Sequence, residues 1–310
     1  MTDFQHTSVL LEETIDALNI RPDGIYLDGT LGGAGHSLEI VKKLTTGRLI
    51  GVDRDETALQ AAGERLAPYG ERVTLVKSNF SRVGEILDEL GLEAIDGMLF
   101  DLGVSSPQLD QAQRGFSYMM DAPLDMRMDR SGGITAADIV NTWPEEELKR
   151  ILYTYGEERY APRIAGAILR AREKQPIGTT LELVEIIRSA MPGQALREKQ
   201  HPAKRSFQAL RICVNEELSS VERMLETAPD RLKPGGRLCV ISFHSLEDRL
   251  VKQAIRSRVD GCTCPKSMPV CVCGFKQTLK SLGGPVTAGK AELERNPRAR
   301  SAKLRTAERI

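Results

Sequence analysis

The residues best suited to bind and act on a ligand follow short apolar runs in the N-terminal part of the sequence. They are the acids Asp28, Asp53 and Asp101 and the aromatic Phe80, and a glycine-dense turn at residues 29–35 follows the first acid. Glycines let a backbone bend sharply and approach a ligand closely, and the amino end of a following helix offers N–H groups to negative charge. An acid at the end of a second strand can hold both hydroxyls of a ribose. The pattern therefore predicts a nucleotide-type ligand.

Strands and helices alternate in the segments that carry these residues. Apolar runs typical of strands occur at residues 25–27, 48–52, 73–77 and 95–100. Helical spacing of apolar residues occurs between them, at residues 35–44, 56–66 and 83–90. This alternation predicts an α/β fold with a parallel sheet and helices on both faces. Because ligands of such sheets bind at the carboxyl ends of the strands, we expect the acids and Phe80 to lie close together.

The pattern changes after residue 110. Residues 111–133 show no clear period, and a loop of this length in a compact domain is usually functional or mobile. Only helical stripes follow, until a long helix predicted at residues 203–226 leads to a further strand at 237–242. We therefore expect one α/β domain formed by residues 1–110 and 203–310, interrupted by a loop and helical insertion at residues 111–202.

The composition is that of a globular protein, with 41% hydrophobic residues and a formal net charge of zero. No apolar run reaches the roughly 18 residues needed to cross a bilayer, and no signal peptide is visible, so we expect a cytoplasmic protein with no membrane partner. Lys and Arg are concentrated at residues 197–211 and 295–310. Such a local excess favours contact with a polyanion, although a solvated surface would also explain it.

The six cysteines fall into two groups. Cys213 and Cys239 lie in apolar patterns and are predicted to be core residues. The other four are close together in the sequence, at Cys262, Cys264, Cys271 and Cys273. A compact set in a cytoplasmic protein favours structural zinc over disulfides, but the Cys-x-Cys spacing is tighter than is usual for zinc. Zinc, reduced thiols in a loop and redox pairing therefore stay open.

Two ligand classes fit a glycine turn after a first strand: dinucleotides and S-adenosylmethionine. The dinucleotide fingerprint Gly-x-Gly-x-x-Gly is incomplete, because Leu38 stands where the third glycine is required. Asp28, directly before the turn, would also repel a pyrophosphate. It suits the ammonium and sulfonium groups of S-adenosylmethionine, which we therefore expect as the cofactor.

Five longer segments together resemble one known family. They are DGTLGGAGHS (residues 28–37), DLGVSSPQ (101–108), SFQALRICVNEE (206–217), ISFHSLEDR (241–249) and NPRARSAKLR (296–305). They resemble the bacterial cytosine-N4 methyltransferases of small-subunit ribosomal RNA, the RsmH or MraW family. The resemblance implies a Rossmann-like class I methyltransferase sheet with an inserted all-helical domain that recognises RNA. It also implies S-adenosylmethionine-dependent methylation of the exocyclic N4 amine of a cytosine in the decoding region of 16S rRNA.

The same resemblance implies the partner and the binding residues. The partner would be 16S rRNA, naked or in the assembled small ribosomal subunit, with no obligate protein partner. The implied cofactor contacts are Ala34, Gly35 and His36 at the methionyl end, Asp53 at the ribose, Phe80 at the adenine, and Asp101 and Gln108 to complete the site.

The chemistry of a cytosine amine points to one catalytic residue. The exocyclic nitrogen shares its lone pair with the ring and is a poor nucleophile, so a group that accepts its proton would raise its reactivity. Asp101 is our predicted acceptor. The aromatic residue that stacks the target base is not assigned, and the candidates are Phe116, Tyr118 and Phe243.

Other functions stay open at this stage. The Asp/Asn/Ser-Pro-Pro-Tyr/Phe motif common in DNA amino-methyltransferases is missing, and residues 101–104 stand in its place. A methyltransferase acting on another amine, in DNA or on a protein side chain, is one alternative. A non-catalytic RNA-binding assembly factor that keeps the cofactor fold is the other.

Overall fold

Short runs rich in leucine, isoleucine and valine form a mixed sheet in the computed structural model, which describes residues 8–265 and 272–310. The order across the sheet is β3-β2-β1-β4-β5-β7-β6. The first five strands are parallel where they pair, and β7 runs antiparallel to β5 and β6. The strands are β1 (Ile25–Asp28), β2 (Arg48–Asp53), β3 (Val73–Lys77), β4 (Ile95–Asp101), β5 (Leu232–Ser242), β6 (Leu279–Ser281) and β7 (Lys303–Arg309).

Thirteen α-helices connect and flank these strands within the described residues. The predicted alternation of strand and helix over the first part of the chain is confirmed. The helices are α1 (Leu11–Leu18), α2 (Gly35–Lys43), α3 (Glu56–Leu66), α4 (Val83–Glu89), α5 (Ser106–Asp110), α6 (Ala136–Thr142), α7 (Glu145–Gly156), α8 (Ala161–Arg172), α9 (Thr180–Ala190), α10 (Lys204–Asn215), α11 (Glu217–Thr227), α12 (Ser245–Val259) and α13 (Lys290–Arg295).

The order of the strands reverses at the centre of the sheet. β1 pairs with β2 on one side and with β4 on the other, so the chain turns back across the sheet after β3. Open α/β sheets bind ligands in the crevice outside the carboxyl ends of the strands at such a point. Asp28 ends β1 and Asp101 ends β4, so two of the predicted acids stand there.

Both faces of the sheet are covered by helices of the same unit, which consists of residues 1–103 and 218–310. Alternate strand residues point to opposite faces. Leu27 packs in a cluster with apolar residues of α4, α11 and α12, whereas its neighbour Tyr26 packs in a second cluster with α1, α2 and α3. These two apolar layers hold the sheet, and with it the carboxyl ends of its strands, in place.

Residues 104–217 form a second, helical unit with its own apolar core. The aperiodic stretch at residues 111–133 belongs to that core, where Leu124 and Met126 are buried. The buried guanidinium of Arg114 donates to two backbone carbonyl oxygens of the same stretch. This stretch is therefore a packed part of the helical unit.

The single long helix predicted at residues 203–226 is wrong. Two helices, α10 and α11, occupy this segment because Glu216 takes a left-handed conformation with φ of 50°. The buried amide of Asn215 donates to the carbonyl oxygen of Met126 at 2.7 Å and ties the end of α10 to the packed stretch. The helical pattern in the sequence does not reveal this break, because the apolar residues on its two sides, Val214 and Leu218, keep helical spacing.

The helical unit is wider than the predicted insertion at residues 111–202, because it includes α5 and α10. β6, at the far edge of the sheet, was not predicted. It has three residues, and only Leu279 among them is buried, so it leaves no apolar pattern in the sequence. No helix in the described part of the chain is long and apolar enough to cross a membrane.

Candidate active site

The glycine turn joins β1 to α2 through backbone conformations that few side chains tolerate. Gly32 and Ala34 have φ values of 47° and 56°. A left-handed alanine costs roughly 1 kcal/mol, and here Ala34 is fully buried and donates its N–H to the carbonyl oxygen of Leu31 at 2.6 Å. A side chain on Gly35, the first residue of α2, would overlap the hydroxyl of Ser8. The turn therefore sets the amino end of α2 close against the carboxyl end of β1.

Asp28 holds this turn from inside. Its side chain is buried, and its two oxygens accept hydrogen bonds from the N–H of Thr30 at 3.1 Å and the hydroxyl of Ser37 at 2.7 Å. The expectation that Asp28 offers its charge directly to an ammonium group is therefore not supported. Burial raises the pKa of Asp28 to about 6, and the nearby carboxylate of Asp53 acts in the same direction.

The raised pKa of Asp28 predicts how stability depends on pH. The folded protein keeps this proton up to a pH of about 6, whereas the unfolded chain loses it near the usual value of 3.8. The stabilisation by the neutral carboxyl is therefore complete below pH 3.8 and is lost as the pH rises through about 6. At 1.36 kcal/mol per pH unit, this loss is about 3 kcal/mol in the free energy of unfolding.

An Asp28→Asn variant cannot titrate, so wild type should lose stability relative to it by that amount between pH 4 and pH 7. Urea unfolding followed by circular dichroism at several pH values measures the difference. Asp23→Asn, which alters an exposed acid before β1, is the matched control and should follow the wild type. The assignment would be contradicted if the difference in the free energy of unfolding between wild type and Asp28→Asn did not change with pH.

Asp53 connects the end of β2 to the glycine turn. One carboxylate oxygen accepts the N–H of Gly32 at 2.9 Å, and the other accepts the N–H of Asp55 at 2.9 Å. Burial raises the pKa of this carboxyl above its ordinary value. Each carboxylate oxygen has a further lone pair, so both can accept a second hydrogen bond from a ligand hydroxyl.

Phe80 lies three residues beyond the end of β3 and begins a short 3-10 helix. Its ring packs edge-on against the buried ring of Phe100, with centroids 5.9 Å apart and an interplanar angle of 61°. Gly29 makes this packing possible, because a side chain there would overlap the Phe100 ring. The Phe80 ring is half-buried, and its role at an adenine stays a prediction.

His36 and Asp101 face each other across the first turn of α2. The Nδ1 atom of His36 lies 3.8 Å from Oδ2 of Asp101, and its Nε2 atom lies 3.1 Å from the carbonyl oxygen of Val9. A carbonyl oxygen only accepts, so Nε2 carries the hydrogen in the neutral ring and Nδ1 presents a lone pair. The backbone N–H of Asp101 donates to the hydroxyl of Thr30 at 2.6 Å, which fixes the end of β4 against the glycine turn.

The carboxyl group of Asp101 is poised to accept a proton. Its Oδ1 atom is buried and has no hydrogen-bond partner among the residues that the structure describes, while its side chain as a whole is 24% exposed. Burial raises the pKa of Asp101 well above its usual value, and the carboxylates of Asp28 and Glu247 raise it further. A carboxylate of raised pKa holds a proton more strongly than an ordinary one, which is a property that a general base needs.

Six of the seven predicted site residues lie in the α/β unit, at the glycine turn or at the ends of β2, β3 and β4. Gln108 is the exception, because it lies in α5 of the helical unit, where it is buried and its Oε1 atom accepts the N–H of Ser105 at 3.1 Å. The roles of all seven stay predictions. The six are Ala34, Gly35, His36, Asp53, Phe80 and Asp101.

Sequence reasoning missed the contribution of Thr30. Its N–H binds Asp28 and its hydroxyl binds the backbone of Asp101, so one residue connects two strand ends. Its position two residues after the strand-end acid Asp28 was the available signal. Which of several turn hydroxyls makes such a bond depends on the packed geometry.

The strand order 3-2-1-4-5-7-6, with only the last pairs antiparallel, and the glycine turn after β1 define a class I S-adenosylmethionine-dependent methyltransferase fold with an inserted helical unit. A model of the MraW methylase family matches residues 3–310. The chain therefore belongs to the MraW methylase family.

Two relatives of high sequence identity support the family assignment. The ribosomal RNA small subunit methyltransferase H of Symbiobacterium thermophilum is 57% identical over 304 residues, which cover 97% of this chain and 96% of that protein. The protein of the same name from Geobacter sp. is 55% identical over 315 residues, with full coverage of both chains. A solved rRNA methylase from Streptococcus thermophilus covers 98% of this chain and 99% of that one, with an identity of 12% and a TM-score of 0.45.

Proposed function

We propose that this protein transfers a methyl group from S-adenosylmethionine to the exocyclic N4 amine of a cytosine in the decoding region of 16S rRNA. Membership of a methylase family and the names of the relatives support methyl transfer to small-subunit ribosomal RNA. The geometry of Asp101, a proton acceptor at the end of a central strand beside the glycine turn, is the observation that carries the proposal for an amine substrate. The compartment proposed for this reaction is the cytoplasm.

The residues around the glycine turn fit the cofactor. Ala34, Gly35 and His36 lie at the start of α2, where the absence of a side chain on Gly35 lets the backbone pack closely against Ser8. Asp53 has lone pairs left for the two ribose hydroxyls, and Phe80 offers an apolar ring for the adenine. When bound, S-adenosylmethionine supplies a methyl group activated by its sulfonium. Because Asp28 is buried beneath the turn, its carboxyl affects the site by holding the turn in its conformation.

Asp101 can accept the proton that the cytosine amine loses on methylation. Methyl transfer forms the N4–CH₃ bond as the C–S bond breaks, and the nitrogen must then lose one proton. The carboxylate of Asp101 accepts that proton and is left neutral, as its surroundings favour. His36 lies beside Oδ2 and limits the positions that the carboxylate can adopt. The site must also align nitrogen, methyl carbon and sulfur.

Phe243 is the best candidate to stack the target base. Phe116 is buried in the core of the helical unit, and Tyr118 already stacks on His201 with centroids 4.6 Å apart. Phe243 follows β5, the strand next to β4, and a Cβ built on Gly103, two residues beyond Asp101, would lie 3.5 Å from its ring. An RNA base that has left its helix can be held on such a ring.

Exposed basic residues of each unit are available for RNA binding. Arg197 and Lys199 in the helical unit, and Arg298 and Arg300 in the α/β unit, are exposed. Arg211, also counted in the predicted basic segment, instead forms a two-bond ion pair with Glu217 at 2.8–2.9 Å. Phosphate contacts are therefore assigned to the exposed residues and not to Arg211.

The substrate class is tested by incubating the protein with tritiated S-adenosylmethionine and, in parallel, small ribosomal subunits, naked 16S rRNA or DNA. We expect label in subunits or naked 16S rRNA and none in DNA. Label in DNA alone would overturn the proposal in favour of a DNA amino-methyltransferase. No label in any of the three would favour the assembly factor that keeps the cofactor fold.

A further inference from the structure

Three cysteine side chains converge in the segment between α12 and β6. The Sγ atoms of Cys262, Cys264 and Cys273 all lie within 4.8 Å of one another, and those of Cys262 and Cys273 are 3.6 Å apart. The fourth member of the predicted set, Cys271, lies outside the described residues. The cluster has no part in the site described above.

The spacing of the sulfur atoms suits a shared ion better than a disulfide. A disulfide bond is about 2.05 Å long, whereas Cys262 and Cys273 are 3.6 Å apart. Sulfur ligands at about 2.3 Å from a tetrahedral zinc ion are roughly 3.8 Å from each other. Cys262 and Cys273 are also exposed, so burial of apolar surface does not explain why they meet.

The protein fixes both ends of the segment that carries the thiols. The N–H of Thr278 donates to the carbonyl oxygen of Arg258 at 3.0 Å, which joins the segment before β6 to the last turn of α12. Gly261 lets the ring of Phe275 lie against the backbone, because a Cβ there would come within 2.7 Å of the ring. Cys262 and Cys264 are thereby brought close to Cys273 before any ion binds.

The backbone also contacts one of these sulfur atoms. The N–H of Val272 points at Sγ of Cys264 at a distance of 3.3 Å. Metals bind the thiolate form of cysteine. Burial disfavours that form in Cys213 and Cys239, because it raises their pKa values to about 11 and about 12.

We propose that Cys262, Cys264 and Cys273 bind a zinc ion that closes the segment between α12 and β6. Three thiolates form a soft donor set that selects zinc over magnesium or calcium. Binding replaces the S–H protons of these thiols by S–Zn bonds and releases the protons to solvent. A tetrahedral ion takes its fourth ligand from outside these three residues. The site is structural, and it requires no change in the chemistry proposed for Asp101.

The metal content of the purified chain tests this proposal. Protein prepared under reducing conditions without chelator should contain about one zinc ion per chain by elemental analysis. Cys262→Ser and Cys273→Ser should each lower the content at least tenfold. Cys213→Ser is the matched control, since it removes a cysteine outside the cluster, and it should leave the content unchanged. Circular dichroism of each variant shows whether the fold is kept.

Cobalt substitution gives a second readout that does not depend on the yield of zinc. After chelation, added Co²⁺ should produce a thiolate-to-cobalt charge-transfer band in the wild type and in Cys213→Ser, but not in Cys273→Ser. Zinc below about a tenth of an ion per chain together with no cobalt band would overturn the proposal. So would full metal content in folded Cys262→Ser, or a disulfide within the cluster detected by intact mass.

Discussion

Replacing Asp101 with asparagine should reduce the rate constant of methyl transfer by about 10²–10⁴-fold, the range that a general base contributes. The amide keeps the shape of the side chain but cannot take the proton that leaves the cytosine amine. The affinity for S-adenosylmethionine should change only several-fold, since the reaction needs this residue after the cofactor is bound. Single-turnover transfer to the RNA substrate, with cofactor binding measured by calorimetry, separates the two effects.

The dependence of the transfer rate on pH gives a second test of Asp101. Because burial and neighbouring acids raise the pKa of Asp101, the wild-type rate should increase with pH as this group loses its proton, over a range above that of an ordinary aspartate. The rate of the Asp101→Asn variant should lack this increase with pH. Asp23→Asn, which alters an exposed acid before β1, should keep both the rate and its dependence on pH. Transfer by Asp101→Asn within about threefold of wild type would remove Asp101 from the mechanism. Loss of cofactor binding would instead make it a binding residue.

Replacing Asp53 with alanine should weaken S-adenosylmethionine binding by about 100-fold, because two hydrogen bonds to a charged group contribute roughly 1.5 kcal/mol each. The variant loses the acceptors for the ribose hydroxyls. It also leaves the N–H of Gly32 without the carboxylate that anchors the glycine turn. At saturating cofactor the rate constant should stay near that of wild type, in contrast to Asp101→Asn.

Glu56→Ala is the matched control for Asp53, since Glu56 is an exposed acid three residues further along the chain that pairs with Lys77. Its affinity for the cofactor should equal that of wild type. Equal affinities for Asp53→Ala and Glu56→Ala would show that the end of β2 does not hold the ribose. A large loss of rate at saturating cofactor would place Asp53 in the chemistry instead.

The alternation of strands and helices was predictable because buried parallel strands appear in the sequence as short continuous apolar runs. The same reasoning located Asp28 and Asp101 at neighbouring strand ends, since parallel strands bring their carboxyl ends to one edge of the sheet. It misjudged what Asp28 does. Whether a turn carboxylate faces a ligand or the protein depends on which hydroxyl packs beneath it, and here Ser37 occupies that position.

Features set by contacts distant in sequence were not predictable. The break between α10 and α11 depends on the bond from Asn215 to Met126, 89 residues apart, and a helical period carries no sign of it. Phe116 was a candidate for base stacking because it is aromatic, and only the packing of the helical unit shows that it is buried. The convergence of Cys262 with Cys273 likewise depends on how α12 and β6 close the segment between them.

The identity of the methylated nucleoside tests the central claim most directly. Small ribosomal subunits or 16S rRNA lacking the modification are incubated with the protein and S-adenosylmethionine, digested to nucleosides, and compared with standards by liquid chromatography and mass spectrometry. The account predicts a new N4-methylated cytidine that forms at least about 100-fold more slowly when Asp101→Asn replaces the wild type. A methyl group found on a ring carbon, on a ribose hydroxyl or on another base would contradict it.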